Sequence, residues 1–162
     1  MGVIKPPTGI AVTCYALAQR FIGIKELPGD KDHPFIMHLL TLDQAWPSHD
    51  EVPWCSAFAQ YPPWLLRLPR SKDLRARSWL HVGRVVSLAE ATVGFDVVIF
   101  NRGGNPAAVF EPDNPGPQPG HVGFYAGRDG DQIAVLGGNQ GNAVSVRTYK
   151  VADLLGVRRL YP

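Results

Sequence analysis

His121-Val122-Gly123-Phe124-Tyr125-Ala126 and Ile133-Ala134-Val135-Leu136 are two short β-rich runs joined through the turn Arg128-Asp129-Gly130-Asp131. Val122, Phe124 and Ala126 alternate with other residues, so one face of the first run can anchor in a core. A turn centred on Gly130 pairs Phe124 with Leu136, Gly123 with Gly137 and His121 with Asn139. Two facing glycines leave that side of the sheet bare, as an extended substrate would require. Three further runs have the same character: Arg84-Val85-Val86-Ser87, Asp96-Val97-Val98-Ile99-Phe100 and Ala143-Val144-Ser145-Val146-Arg147-Thr148. Short connections between most of them predict an antiparallel sheet. Residues 101–120, rich in Gly and Pro, are too long for an ordinary hairpin and predict a functional lip or a mobile insertion.

Upstream the pattern is helical. Ile10, Cys14, Leu17 and Phe21 follow Pro6-Pro7-Thr8 at helical spacing, which predicts a helix capped by Thr8 and ending near Gly23. Pro34 to Leu42 predicts a second short helix with Phe35, Ile36, Leu39 and Leu40 inward. Pro53 suits the first turn of a third helix, because its missing N–H costs nothing there, and Cys55 falls in that turn. Pro62-Pro63 should stop or kink this helix before Trp64-Leu65-Leu66-Arg67-Leu68 resumes an apolar pattern. Helices first and strands afterwards predict one α+β domain over residues 1–162. Its helical part spans about 8–82 and packs on one face of a sheet built from about 83–162.

Composition bounds the function. The chain has 162 residues, 45% hydrophobic and 19% charged, enough for one core. Sixteen basic against fourteen acidic residues leave a net charge of +2, too small for phosphate neutralisation to be its main business, so no nucleic-acid partner is expected. No apolar run reaches the roughly 20 residues needed to cross a bilayer, and no stable membrane insertion is expected. The segment around Ala16-Leu17-Ala18 has the form of a signal-peptidase site, but it flows into Arg20-Phe21-Ile22 and is read as helix rather than leader. Cys14 and Cys55 form no Cys-x-x-Cys pair, which excludes the usual thiolate zinc site and disfavours a disulfide scaffold. Asp30-Lys31-Asp32 lacks the further ligands of a calcium loop and reads as a solvated turn. Trp54, Trp64 and Trp79 suit a core better than sugar-stacking platforms.

The chemistry centres on Cys55. A thiolate, not a thiol, attacks a carbonyl, and free N–H groups at a helix start favour it. Cys55 is therefore expected to titrate well below an ordinary thiol, whereas Cys14, in an apolar helix, is not. A base is needed to take the proton and return it to a leaving amine. Of His33, His38, His49, His81 and His121, only His121 opens a strand, a rigid mount for such a base. The facing register gives Asn139 the task of orienting the imidazole, although Asn139 beside Gly138 is also a good turn residue.

Pro53-Trp54-Cys55-Ser56-Ala57-Phe58, Gly120-His121-Val122-Gly123-Phe124 and Leu136-Gly137-Gly138-Asn139-Gln140 occur in that order, and together they make the chain resemble the papain-like cell-wall cysteine peptidases and amidases of the NlpC and CHAP type. It looks most like a single-domain branch found in bacteria and their phages. The resemblance implies a papain-like fold, with Cys55 as nucleophile, His121 as general base and acid, and Asn139 as orienting residue. It places Trp54, Gly123, Gly137 and Gln140 along the substrate groove. It further implies hydrolysis of a peptidoglycan amide, in the stem peptide or at the sugar–peptide link, through an acyl-enzyme, by a monomer without metal or cofactor. An endolysin held in the host bacterial cytoplasm until a membrane pore admits it to the wall is the simplest setting. A secreted antibacterial amidase is the variant, and a catalytically silent wall-binding or structural domain of the same fold is the alternative. Related domains often carry Glu or a second His as the third residue, and the helix after the nucleophile normally runs on without the prolines present here.

Overall fold

The computed structural model describes residues 12–103, 110–113 and 118–161. Three α-helices, α1 (Cys14–Ala18), α2 (Pro34–Leu40) and α3 (Cys55–Leu65), precede six strands: β1 (Arg84–Val86), β2 (Asp96–Asn101), β3 (Gly120–Asp129), β4 (Gln132–Gly137), β5 (Ser145–Lys150) and β6 (Leu154–Arg159). Every strand pairing is antiparallel, in the order β1-β6-β2-β3-β4-β5. This is the α+β arrangement expected. The sequence reading lacks the last strand: β6 slots between β1 and β2, and its Leu154-Leu155-Gly156-Val157-Arg158-Arg159 has neither the alternation of β3 nor the continuous apolar run of β2, and ends on two charges.

Adjacent strand residues serve opposite faces. Val97, Ile99, Val122, Phe124 and Leu136 pack with helical Cys14, Ile36, Leu40, Ala57 and Phe58 in one core. Val98, Phe100, Tyr125, Ile133, Val135 and Val157 form a second core on the other face, covered by Leu88, Ala91, Tyr149, Val151 and Leu154. All the α-helices that contribute buried side chains belong to the first core, so they cover one face as expected.

The helices differ from expectation at their ends. Thr8 and Ile10 lie outside the described residues. α1 is capped by Thr13, whose Oγ1 accepts from the Ala16 N–H at 3.1 Å, and a 3-10 turn over Gln19–Phe21 continues it. His33 caps α2, its Nδ1 accepting from the Phe35 N–H at 3.1 Å. Pro53 precedes α3 rather than opening it, with Trp54 as N-cap and Cys55 as first helical residue.

Pro62-Pro63 does not stop α3, which runs on to Leu65. The prolines fall in its last turn, so each removes one N–H donor to a carbonyl four residues back, but only two helical residues follow them. The end itself is a Schellman turn: the Leu68 N–H donates to the Pro63 carbonyl at 2.9 Å and the Arg67 N–H to that of Trp64 at 3.2 Å, with Arg67 left-handed at φ 56°. At the other end of α3, Ser56 Oγ donates to the Asp73 carbonyl at 2.6 Å and accepts from Trp79 Nε1 at 2.9 Å. Both Ser56 and Trp79 are fully buried, so this pair fixes where the first turn of α3 sits. Buried Arg77 ties together the ends of the long connection, donating to the Pro119 carbonyl at 3.0 Å and to Asn101 Oδ1 at 2.7 Å.

Candidate active site

β3 and β4 pair as expected close to the site, Phe124 with Leu136, although the route differs. The turn is one residue tighter, pairing Asp129 with Gln132, and an irregularity between Tyr125 and Gly127 then restores the expected register. Ala126, the residue bulged out, therefore leaves the core face that Val122 and Phe124 occupy.

His121 is fully buried at the start of β3. Its ring stacks on Tyr149 with centroids 4.9 Å apart, and Tyr149 stacks in turn on Phe100 at 4.8 Å. Gln140, not Asn139, meets the imidazole, with Oε1 3.0 Å from Nε2. The chain leaves the sheet after Gly137, and Asn139 takes a left-handed turn conformation at φ 54°, so it has no strand position opposite His121. The turn bends Gln140 back, its N–H donating to the Ala143 carbonyl at 2.9 Å. The Gln140 amide is clamped: Nε2 donates to the carbonyls of Ser145 at 2.5 Å and Val135 at 3.3 Å, and Tyr149 Oη donates to Oε1 at 3.0 Å. With the amide so oriented, Oε1 can only accept. His121 must then carry its proton on Nε2, which leaves Nδ1 as the basic nitrogen. Nδ1 is buried and has no hydrogen-bond partner among the described residues.

Cys55 is also buried, at 4% exposure. The nearby backbone N–H groups of Val122, next to His121, and of Ser56 favour its thiolate. Burial nevertheless pushes the thiol up from its ordinary value, a rise that these N–H groups and the charge of Arg102 only offset in part. Burial pushes His121 down to about 4, against the hydrogen bond it donates to Gln140, and Arg102 lowers it further. The resting pair is a neutral thiol and a neutral imidazole, contrary to the low thiol value expected from the helix start alone: removal from water outweighs the N–H groups. Cys14 is pushed up by burial to about 12, as its apolar setting implies.

The other groove residues read differently in place. Trp54 is fully buried, its Nε1 donating to Glu26 Oε1 at 2.7 Å, and belongs to the core rather than to a groove. A Cβ on Gly123 would come within 2.5 Å of Val135 Cγ1 and 2.9 Å of the Leu136 carbonyl. The space beside Gly123 is thus filled by β4 and is not bare for a substrate. A Cβ on Gly137 would approach His121 Nε2 at 3.2 Å and Gln140 Oε1 at 3.1 Å, so this glycine makes room for their hydrogen bond.

Open space lies on the other side. A cleft of about 500 Å³ reaches Cys55 between Trp46, Val52, Leu74, Ala76 and Pro119, with Arg102 at its edge. The described parts of the long connection thus form one wall of it. Tyr149, Arg102 and Trp46 carry no motif of their own. The signal for Tyr149 was its place in β5 opposite Ile133, which only the three-strand register reveals. Among the described residues no group of His, Cys, Asp and Glu is arranged to hold a metal ion, and no helix is long and apolar enough to cross a membrane.

No family model matches the chain, and no curated protein does. Solved structures similar to it include two at 17% identity, each over 92% of this chain. They are NlpC2 from Trichomonas vaginalis, with a TM-score of 0.52 over 46% of that chain, and NlpC1 from the same organism, with a TM-score of 0.42 over 43%. The chain spans less than half the length of either. The likeness to NlpC2 is one of architecture: this chain has an NlpC-like, papain-like α+β fold.

Proposed function

We propose that this protein is a thiol hydrolase that cleaves an amide bond of peptidoglycan through an acyl-enzyme on Cys55. One observation carries the reading: a buried imidazole whose Nε2 proton is committed to Gln140 and whose basic Nδ1 has no partner among the described residues. An unpartnered buried nitrogen costs stability, and use as a base is a reason for a fold to carry that cost. The Cys55 sulfur attacks the substrate carbonyl carbon as its proton passes to Nδ1, so charge is created only during the attack. The backbone N–H of Cys55, at the start of α3, is the candidate donor to the oxyanion. Collapse breaks the C–N bond as the imidazolium returns the proton to the leaving amine. Water, deprotonated by Nδ1, then releases the acid from the sulfur.

Peptidoglycan as substrate rests on the three ordered motifs and on the NlpC-like fold. The same proposal includes action as a monomer without cofactor, and an endolysin setting with release through a membrane pore; an antibacterial amidase delivered by secretion shares the chemistry. Purified peptidoglycan incubated with the protein should release fragments whose masses identify one cut amide. Cys55→Ala should keep the fold by circular dichroism and release none. Unchanged release would remove Cys55 from the mechanism, and wall binding without release by the unaltered chain would favour a silent binding domain.

A further inference from the structure

At the far end of α3, about 14 Å along the helix from Cys55 at 1.5 Å per residue, lies a second hollow, of about 690 Å³, bounded by Trp64, Leu68 and Pro69 and flanked by Arg67, Arg70 and Lys72. Trp64 is 42% exposed although one face of its indole stacks on Tyr61, at 5.6 Å and 19°. The other face is therefore the one left to solvent. Arg70 is committed to Asp43 by a two-pronged ion pair. Arg67 and Lys72, both exposed, have no ion pair or side-chain hydrogen bond among the described residues.

The backbone sets these two cations apart. Four non-glycine residues of the described chain have left-handed φ: Asn139, Asn142, Arg67 at 56° and Lys72 at 59°. Asparagine tolerates that conformation, whereas long side chains adopt it at a cost. The two exceptions flank the same hollow, and each is held in place. The Schellman turn fixes Arg67, and Lys72 is gripped by Gln60 Oε1, which accepts its N–H at 2.9 Å, and by Gln44 Nε2, which donates to its carbonyl at 2.8 Å. Gly or Asn would serve the backbone better at both positions, so the side chains account for the residues found there.

We propose that this hollow binds an anionic saccharide, the free face of Trp64 stacking on a sugar ring while Arg67 and Lys72 pair with its carboxylate or phosphate groups. A flat apolar ring bordered by two unpaired cations complements a ligand with both a flat apolar face and negative charge. Two cations and a net charge of +2 fall short of what duplex or single-stranded nucleic acid would recruit. The assignment does not depend on hydrolysis at Cys55.

The test uses the intact chain labelled with nitrogen-15 and follows the indole N–H signals while a tetramer of galacturonate is added, with a neutral chitin tetramer as control. The Trp64 signal should shift with the acidic tetramer, and added salt should weaken the binding. Arg67→Asn with Lys72→Asn removes both charges while keeping residues that accept the left-handed backbone, and should weaken binding at least about tenfold. An unmoved Trp64 signal, equal binding of the neutral tetramer, or an unaffected double variant would each overturn the proposal. Equally tight binding of polyglutamate or of single-stranded DNA would overturn it too, in favour of a general polyanion patch.

Discussion

His121 shows how one side chain can be placed and its partner missed. That this histidine stands at a strand start followed from the order of elements, because β3 begins at Gly120 and its Val122 and Phe124 anchor it. Which neighbour orients it depended on a turn that local pairing does not define: with Asn139 left-handed, Gln140 arrives where an unbroken strand would put Asn139. Gln140→Leu should therefore lower kcat roughly 100-fold by freeing the ring, while Asn139→Ala should change it little, as initial rates on defined peptidoglycan would show. The burial of the ring also has a thermodynamic signature. His121 titrates at about 4 in the folded chain and at 6.5 when unfolded, so between these values the unfolded state binds the extra proton. Its contribution is complete above pH 6.5 and is lost as the pH falls to about 4, a change of roughly 3 kcal/mol. Urea titrations at several pH values should show this slope in the wild type and its absence in His121→Gln. The acid limb of kcat/KM should likewise fall near 4 rather than near 6.5.

Among the elements, α3 carries a residue of each proposed site, with Cys55 at its first position and Trp64 near its last. Its existence was readable from Trp54 to Tyr61, and its end was not, because two prolines in a final turn look the same in sequence as two prolines that break a helix. The loop from Ser71 to Arg75 holds its start, through the Ser56 hydroxyl between the Asp73 carbonyl and the Trp79 indole. Ser56→Ala strands the buried Trp79 Nε1 donor, while the Asp73 carbonyl keeps the Gln60 amide at 3.1 Å. It should cost about 2 kcal/mol and lower Tm by roughly 4–8 °C, with a fall in kcat if the start of α3 drifts. Calorimetry beside a peptidoglycan assay would separate the two effects. β6 marks the opposite limit of sequence reading: its charged ending, Arg158-Arg159, hides a central strand because Arg159 is paired with the fully buried carboxylate of Asp96 at 2.7 Å.

At the scale of the molecule, the sheet is shared by both cores, and the site joins them. Cys55 belongs to the helical core, whereas His121 stacks on Tyr149, which covers the other. A fold divided this way should lose both cores at once. Urea unfolding followed by tryptophan fluorescence, which reports Trp54 and Trp79 in the helical core, and by tyrosine near-ultraviolet dichroism, which includes Tyr125 and Tyr149, should give coincident curves. Separate midpoints would mean that residues 1–162 are not one cooperative unit.

The irregularity at Ala126 has a practical outcome for anyone who alters the protein. Because the strand resets its own alignment before reaching Phe124, the spacing of Arg128 to Asp131 is insulated from the His121 end of the hairpin. Tags or labels grafted onto that tip can vary in length without shifting the imidazole, whereas a single residue added between Phe124 and His121 would turn it to the wrong side of the sheet.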